Sequence, residues 1–118
     1  MRSPEERLRD ILAAIEAIER YLDRSRTAFD ADELLQNWFV RHLEIVGEAA
    51  RALPNDIRAM APDIPWAKII GMRNVLVHGY FDIDTEIVWD AAHRDIPDLK
   101  PAVQRLLETL EQLRSAGE

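Results

Sequence analysis

At 118 residues, with 47% hydrophobic residues, 31% charged residues and only four glycines, the chain has the length of one domain and the composition of a folded globular protein, which sets disorder aside. It contains no cysteine, which excludes disulfides, thiolate metal sites and a cysteine nucleophile, and is compatible with a reducing compartment. A formal net charge of -7 disfavours broad attraction to phosphate backbones, so any RNA contact must use a local basic cleft.

The first twenty residues carry charges throughout and lack the apolar run of a signal peptide or membrane span, so a cytoplasmic protein with no membrane contact is expected. Ser3, Pro4 and Glu6 are laid out as a capping box with proline at the first helical position. Leu8, Ile11, Leu12, Ile15, Ile18 and Leu22 follow at helical spacing and predict a helix to about Arg24. Asp30 with Glu33 repeats the capping pattern and opens a long second helix up to Pro54, in which Gly47 beside Ala49 and Ala50 implies close approach of another helix.

Three of the six prolines fall between Pro54 and Pro65, predicting a connector with at most one short helical turn near Asp56 to Met60. Pro65 then opens a third helix to about His78, with Gly79 as its stop. Asp84 or Thr85 caps a fourth, which kinks or restarts near Asp95 to Pro97 and continues through Leu113. No strand-like alternation is evident. The expected fold is all-α, an up-and-down four-helix bundle with a short extra helical turn, as one domain over residues 1–118.

The familiar chemical motifs are missing from the sequence. There is no His-Glu-x-x-His pattern and no paired Glu-x-x-His, so no metal site is expected, and no phosphate-binding glycine loop or Gly-x-Ser-x-Gly elbow that would imply a cofactor or a serine nucleophile. Glu44 and Glu48, beside Arg41 and Arg51, read as surface ion pairs. His42 and His93 read as solvated or capping residues.

His78 differs, because Arg73 lies five residues before it and Asn74 four before it on an otherwise apolar element. On an ideal helix Asn74 and His78 share a face, while Arg73 stands about 140° from His78 and must use its length to reach the same pocket. Tyr80 returns to the arginine side if the helix persists past Gly79. The chemistry suits RNA cleavage: a histidine titrating near neutrality can take the 2'-hydroxyl proton or protonate the leaving oxygen, and a guanidinium pairs with phosphate oxygens. Asn74 can either hold the histidine tautomer or donate to the phosphate. On spacing alone, the plainer reading, with Arg73 paired to an acid and His78 capping a helix end, is the better one.

The longer context is more distinctive. The run Ile64-Pro65-Trp66-Ala67-Lys68-Ile69-Ile70-Gly71-Met72-Arg73-Asn74-Val75-Leu76-Val77-His78-Gly79-Tyr80, with Ile45 to Ala50 before it and Ile83-Asp84 and Val88-Trp89 after it, resembles the HepT toxins of the HEPN superfamily. That resemblance covers about half of the chain. It implies a HEPN-like helical homodimer in which the Arg-x4-His motifs of two subunits face a shared cleft, a composite metal-independent endoribonuclease site with Arg73 and His78 as catalytic residues and Asn74 in support.

It further implies an RNA substrate and a cognate antitoxin, a minimal nucleotidyltransferase that transfers AMP to the motif tyrosine, by position Tyr80, and silences the nuclease. Without the resemblance Tyr80 reads as a partly buried aromatic with its hydroxyl bonded to a neighbour. A non-catalytic HEPN module that binds nucleotides or nucleic acid is the alternative, and a purely structural dimer is the third reading.

Overall fold

A computed structural model describes residues 2–78 and 82–117, with the backbone alone for Arg73, Val75, Val77 and His78. The helices are α1 (Pro4–Glu19), α2 (Arg26–Asp30), α3 (Glu33–Ala52), α4 (Asn55–Ala59), α5 (Trp66–Leu76), α6 (Thr85–Asp90) and α7 (Ile96–Gly117). A ribbon of β1 (Val77–His78) and β2 (Asp82–Ile83) follows α5, and a π-helical turn over Ala91–Asp95 joins α6 to α7. The fold is an all-α bundle: α1 packs on α3 and α7, and α5 covers the other side of α3.

Local chemistry accounts for most of the boundaries. Ser3 and Glu6 make the expected capping box, each side chain accepting from the other residue's backbone N–H at 3.1 Å. The helix ends at Glu19 rather than Arg24, since the chain tightens into i to i−3 bonds from Tyr21 N–H to the Ile18 carbonyl and from Arg24 N–H to the Tyr21 carbonyl. Leu22 packs on the core from this turn instead of from the helix.

The second long helix starts on Asp32, which accepts from Leu35 N–H at 3.1 Å, and not on Asp30. Asp30 instead ends the five-residue α2, where it pairs with Arg26 at 2.9 Å. That short helix is capped by Ser25, and its fully buried Phe29 stacks on Phe39 and packs against Trp89. The connector turn appears as α4, and Trp66 Nε1 ties it down by donating to the carbonyls of Arg58 and Ala61. Gly47 meets α5 at close quarters, as the alanines around it imply.

A further departure lies at the end of α5, whereas the kink or restart expected in the last helical run is present. The third helix stops at Leu76, and Val77 and His78 pair with Ile83 and Asp82 in an antiparallel register. The β-branched pair Val75 and Val77 disfavours helix and suits an extended strand, and Asp84 N–H donates to the Leu76 carbonyl at 2.9 Å, closing the helix end. The proposed stop at Gly79 lies outside the described residues. In the fourth run, the break near Asp95 to Pro97 is the π-helical turn, where Ile96 N–H reaches back to the Ala91 carbonyl. This widened turn accommodates Pro97, which has no N–H to continue the ladder and whose ring crowds the carbonyl four residues back. Among the described residues no helix is long and apolar enough to cross a membrane.

Candidate active site at the end of helix α5

Arg73 sits in the last turn of α5 and Asn74, one residue on, is exposed to solvent. His78 is the second residue of β1, two residues past the helix end. The helical i, i+4 relation expected between Asn74 and His78 is therefore not realised, because the backbone changes from helix to strand between them. Tyr80 lies outside the described residues, and its return to the arginine side is expected only for a helix continuing past Gly79, whereas α5 ends at Leu76.

What holds the segment is visible around it. Leu76 and Met72, both buried, anchor the inner face of α5 in the core, and Ile69 rests its backbone against Gly47 of α3. On the far side of the ribbon Asp84 caps α6, accepting from Ile87 N–H at 3.1 Å. His78 stands in register with Asp82, so the strand that carries the histidine is fixed to the strand that leads into α6.

The electrostatics beside the ribbon are acidic. Asp30, Glu33 and Asp82 line an open cleft of about 410 Å³ between the start of α3 and β2, with Gln36 and Ile83. Gln36 braces it by donating to the carbonyls of Phe29 and Asp30 at 3.0 and 3.2 Å. No local pattern marks this cleft, because its walls come from segments about fifty residues apart. Each strand of the ribbon is only two residues long, too short for an alternation to mark it.

The other histidines are built into packing. His42 Nδ1 lies 2.8 Å from the Trp38 carbonyl and its ring leans on Trp38 at 4.3 Å. His93 stacks on Trp89 at 3.7 Å, its Nδ1 3.0 Å from the Trp89 carbonyl and its Nε2 3.3 Å from that of Leu22. Both are half-buried, and of the two expected roles, solvated or capping, their ring nitrogens at backbone carbonyls fit the second better. Glu48 pairs with Arg51 at 4.0 Å on the surface. Among the described residues, no three histidine or carboxylate side chains gather as a metal site.

Residues 11–106 match the family described as "Ribonuclease HepT-like". A "Probable ribonuclease HepT" of Thermococcus cleftensis is 39% identical over 106 residues, covering 89% of this chain and 96% of that protein. A "Putative RNase" of Caldanaerobacter subterraneus subsp. tengcongensis is 38% identical over 109 residues, covering 92% and 97%. A Methanocaldococcus jannaschii protein named as a gamma-glutamylcyclotransferase and putative RNase is 36% identical over 106 residues, and there the chain spans 48% of the relative's length. No solved structure matches. With the matched span running from α1 into α7 and enclosing Arg73 to Tyr80, the chain belongs to the HepT-like ribonuclease family.

Proposed function

We propose that the chain is a metal-independent endoribonuclease, the toxin half of a cytoplasmic toxin–antitoxin pair, acting as a homodimer with a composite site. The observation that carries this is membership of the HepT-like family over residues 11–106, with Arg73, His78 and Tyr80 all present in the Arg-x4-His-x-Tyr order.

In this reading His78 acts as general base or acid. It takes the proton of a ribose 2'-hydroxyl as the 2'-oxygen attacks the adjacent phosphorus, or returns a proton to the departing 5'-oxygen, leaving a 2',3'-cyclic phosphate and a 5'-hydroxyl. Arg73 pairs with the phosphate oxygens and offsets the charge that builds during in-line attack. Asn74 either fixes the imidazole tautomer or donates to the phosphate. Because the walls beside β2 are acidic, the guanidinium of Arg73 and the facing motif of a second subunit supply the positive charge.

Control is placed on Tyr80. A cognate minimal nucleotidyltransferase transfers AMP from ATP to the tyrosine oxygen, releasing pyrophosphate and adding a bulky anion where substrate phosphate must sit.

Incubation of the purified, unmodified protein with RNA tests the reading. Cleavage that disappears in His78→Ala is expected; cleavage unchanged by that replacement, or none from demonstrably unmodified protein, overturns it. Binding with the RNA recovered intact would favour a non-catalytic module instead. Mass spectrometry after treatment with ATP and the antitoxin is expected to place AMP on Tyr80, and modification elsewhere overturns that assignment.

A further inference from the structure

On the side of the α3 start away from the ribbon, Tyr21, Arg24, Leu34 and Trp38 line an open cleft of about 450 Å³, within the range of roughly 300–1,000 Å³ usual for ligand clefts. Its aromatic wall is rigid. Trp38 Nε1 donates to the Ala17 carbonyl at 2.8 Å, His42 supports the ring at 4.3 Å, and Tyr21 meets it edge-on at 5.7 Å and 88°. Two cations lie over these rings: Arg24, which lines the cleft, with its guanidinium 5.5 Å from the Tyr21 ring centre, and Arg20, just outside the lining, with its guanidinium 6.0 Å from the Trp38 ring centre.

Five of the thirteen arginines, Arg2, Arg9, Arg26, Arg51 and Arg114, are tied to carboxylates, and Arg20 and Arg24 belong with Arg7, Arg41, Arg58, Arg94 and Arg105, which form no ion pair among the described residues. The one acid lining the cleft, Asp32, is engaged in capping α3. Leu34, at the rim, is 84% exposed. Locked rings, unpaired guanidiniums and an exposed apolar edge make up the chemistry that receives an unpaired base by stacking and its phosphate by charge.

We propose that this cleft is an anchoring subsite for single-stranded RNA, which stacks an unpaired base against the Tyr21–Trp38 wall and holds the flanking phosphates on Arg20 and Arg24. This rests on the ribonuclease reading above and adds the substrate class to it. Placement supports the assignment. The first turn of α3 gives Asp32, Leu34 and Leu35 to this cleft and Glu33 and Gln36 to the acidic cleft beside Asp82, the register partner of His78. The two clefts thus flank one helix, about 10–12 Å wide. The acidic ribbon side repels phosphate, so the strand is held from the arginine side. A duplex, whose bases are stacked on one another, has no free base face to offer.

The test uses the cleavage-deficient His78→Ala protein, a short fluorescein-labelled single-stranded RNA and the same RNA annealed to its complement, followed by anisotropy across a salt series. Single-strand binding that weakens about tenfold with Arg20→Gln plus Arg24→Gln, with a salt slope smaller by about one per arginine, is expected, as is unchanged affinity with Arg9→Gln. Circular dichroism establishes that the variants are folded, and either single replacement reads the same effect at smaller amplitude. Affinity equal to that of the parent, equal binding of the duplex, or a change in sedimentation mass without a change in RNA affinity, the mark of a protein-docking face, overturns the subsite. Cleavage by otherwise unaltered protein is scored separately: if RNA is cut but the cleft variants bind normally, only the subsite fails, and if RNA is neither cut nor bound, the ribonuclease reading fails with it.

Discussion

Gly47 of α3 and the carbonyl oxygen of Ile69 of α5 set how closely those helices pack, since a Cβ at position 47 would stand 3.1 Å from that oxygen. Gly47→Leu is expected to lower stability by about 1–3 kcal/mol, because the added side chain must force α5 outward. Gly47→Ala is expected to fall within about 1 kcal/mol of the parent, the gain in helix propensity opposing the tight contact. Urea unfolding checks both. As α5 carries Arg73, Gly47→Leu is also expected to lose RNA cleavage at temperatures where it remains folded.

Phe29 is fully buried between Phe39 and Trp89 and is what pins the five-residue α2 to the bundle. Phe29→Ala is expected to cost about 3–5 kcal/mol, the range for removing a buried aromatic. A urea midpoint within error of the parent would show that α2 contributes nothing to the core.

The amino-terminal capping box carries a pH signature. The Ser3 N–H and then the Ser3 hydroxyl hold the Glu6 carboxyl below its ordinary value, with Arg2 adding a smaller pull in the same direction. A carboxyl whose folded value lies below its unfolded value, about 4.3, contributes stability that is fully present above that pH and is lost as pH falls through the folded value. Thermal midpoints of the parent and Glu6→Gln are therefore expected to differ near neutrality and to converge in acid. A constant difference down to low pH rejects the linkage.

Asp84 couples two pieces of the site: its side chain caps α6 and its N–H closes the end of α5 on Leu76. Asp84→Ala is expected to cost about 0.5–2 kcal/mol, as for other N-cap losses. It is also expected to reduce cleavage more than Asp32→Ala, an equivalent cap loss at α3, because only Asp84 borders the ribbon that carries His78. Equal effects on activity would separate the ribbon from catalysis.

The helical plan was legible where it is written locally. The Ser3–Glu6 box, the Pro54–Pro65 connector and the close contact at Gly47 are each set by a few adjacent residues. The resemblance that pointed to the family was legible for the same reason, as one contiguous run around Arg73 to Tyr80. What could not be read was set by competition or by distance. Asp30 and Asp32 are both competent caps, and the pairing of Asp30 with Arg26 decides between them. The β-branched Val75 and Val77 end α5 two residues early once Ile83 is available to pair. The acidic cleft and the Arg20–Trp38 platform join residues distant in sequence, so neither leaves a periodic trace.

The break between Leu76 and Val77 changes what the four-residue interval in Arg-x4-His measures. In an unbroken helix five steps would carry the chain about 7.5 Å along an axis. Here three helical steps and two extended ones give a contour of about 11 Å. The interval is therefore a tether of mixed stiffness. A residue inserted before Leu76 would turn Arg73 by about 100° around the helix, whereas one inserted after it would move His78 to the opposite face of the ribbon. Insertions on the two sides of Leu76 thus displace Arg73 or His78 by different kinds of motion, and under the proposed ribonuclease reading either insertion is expected to abolish cleavage.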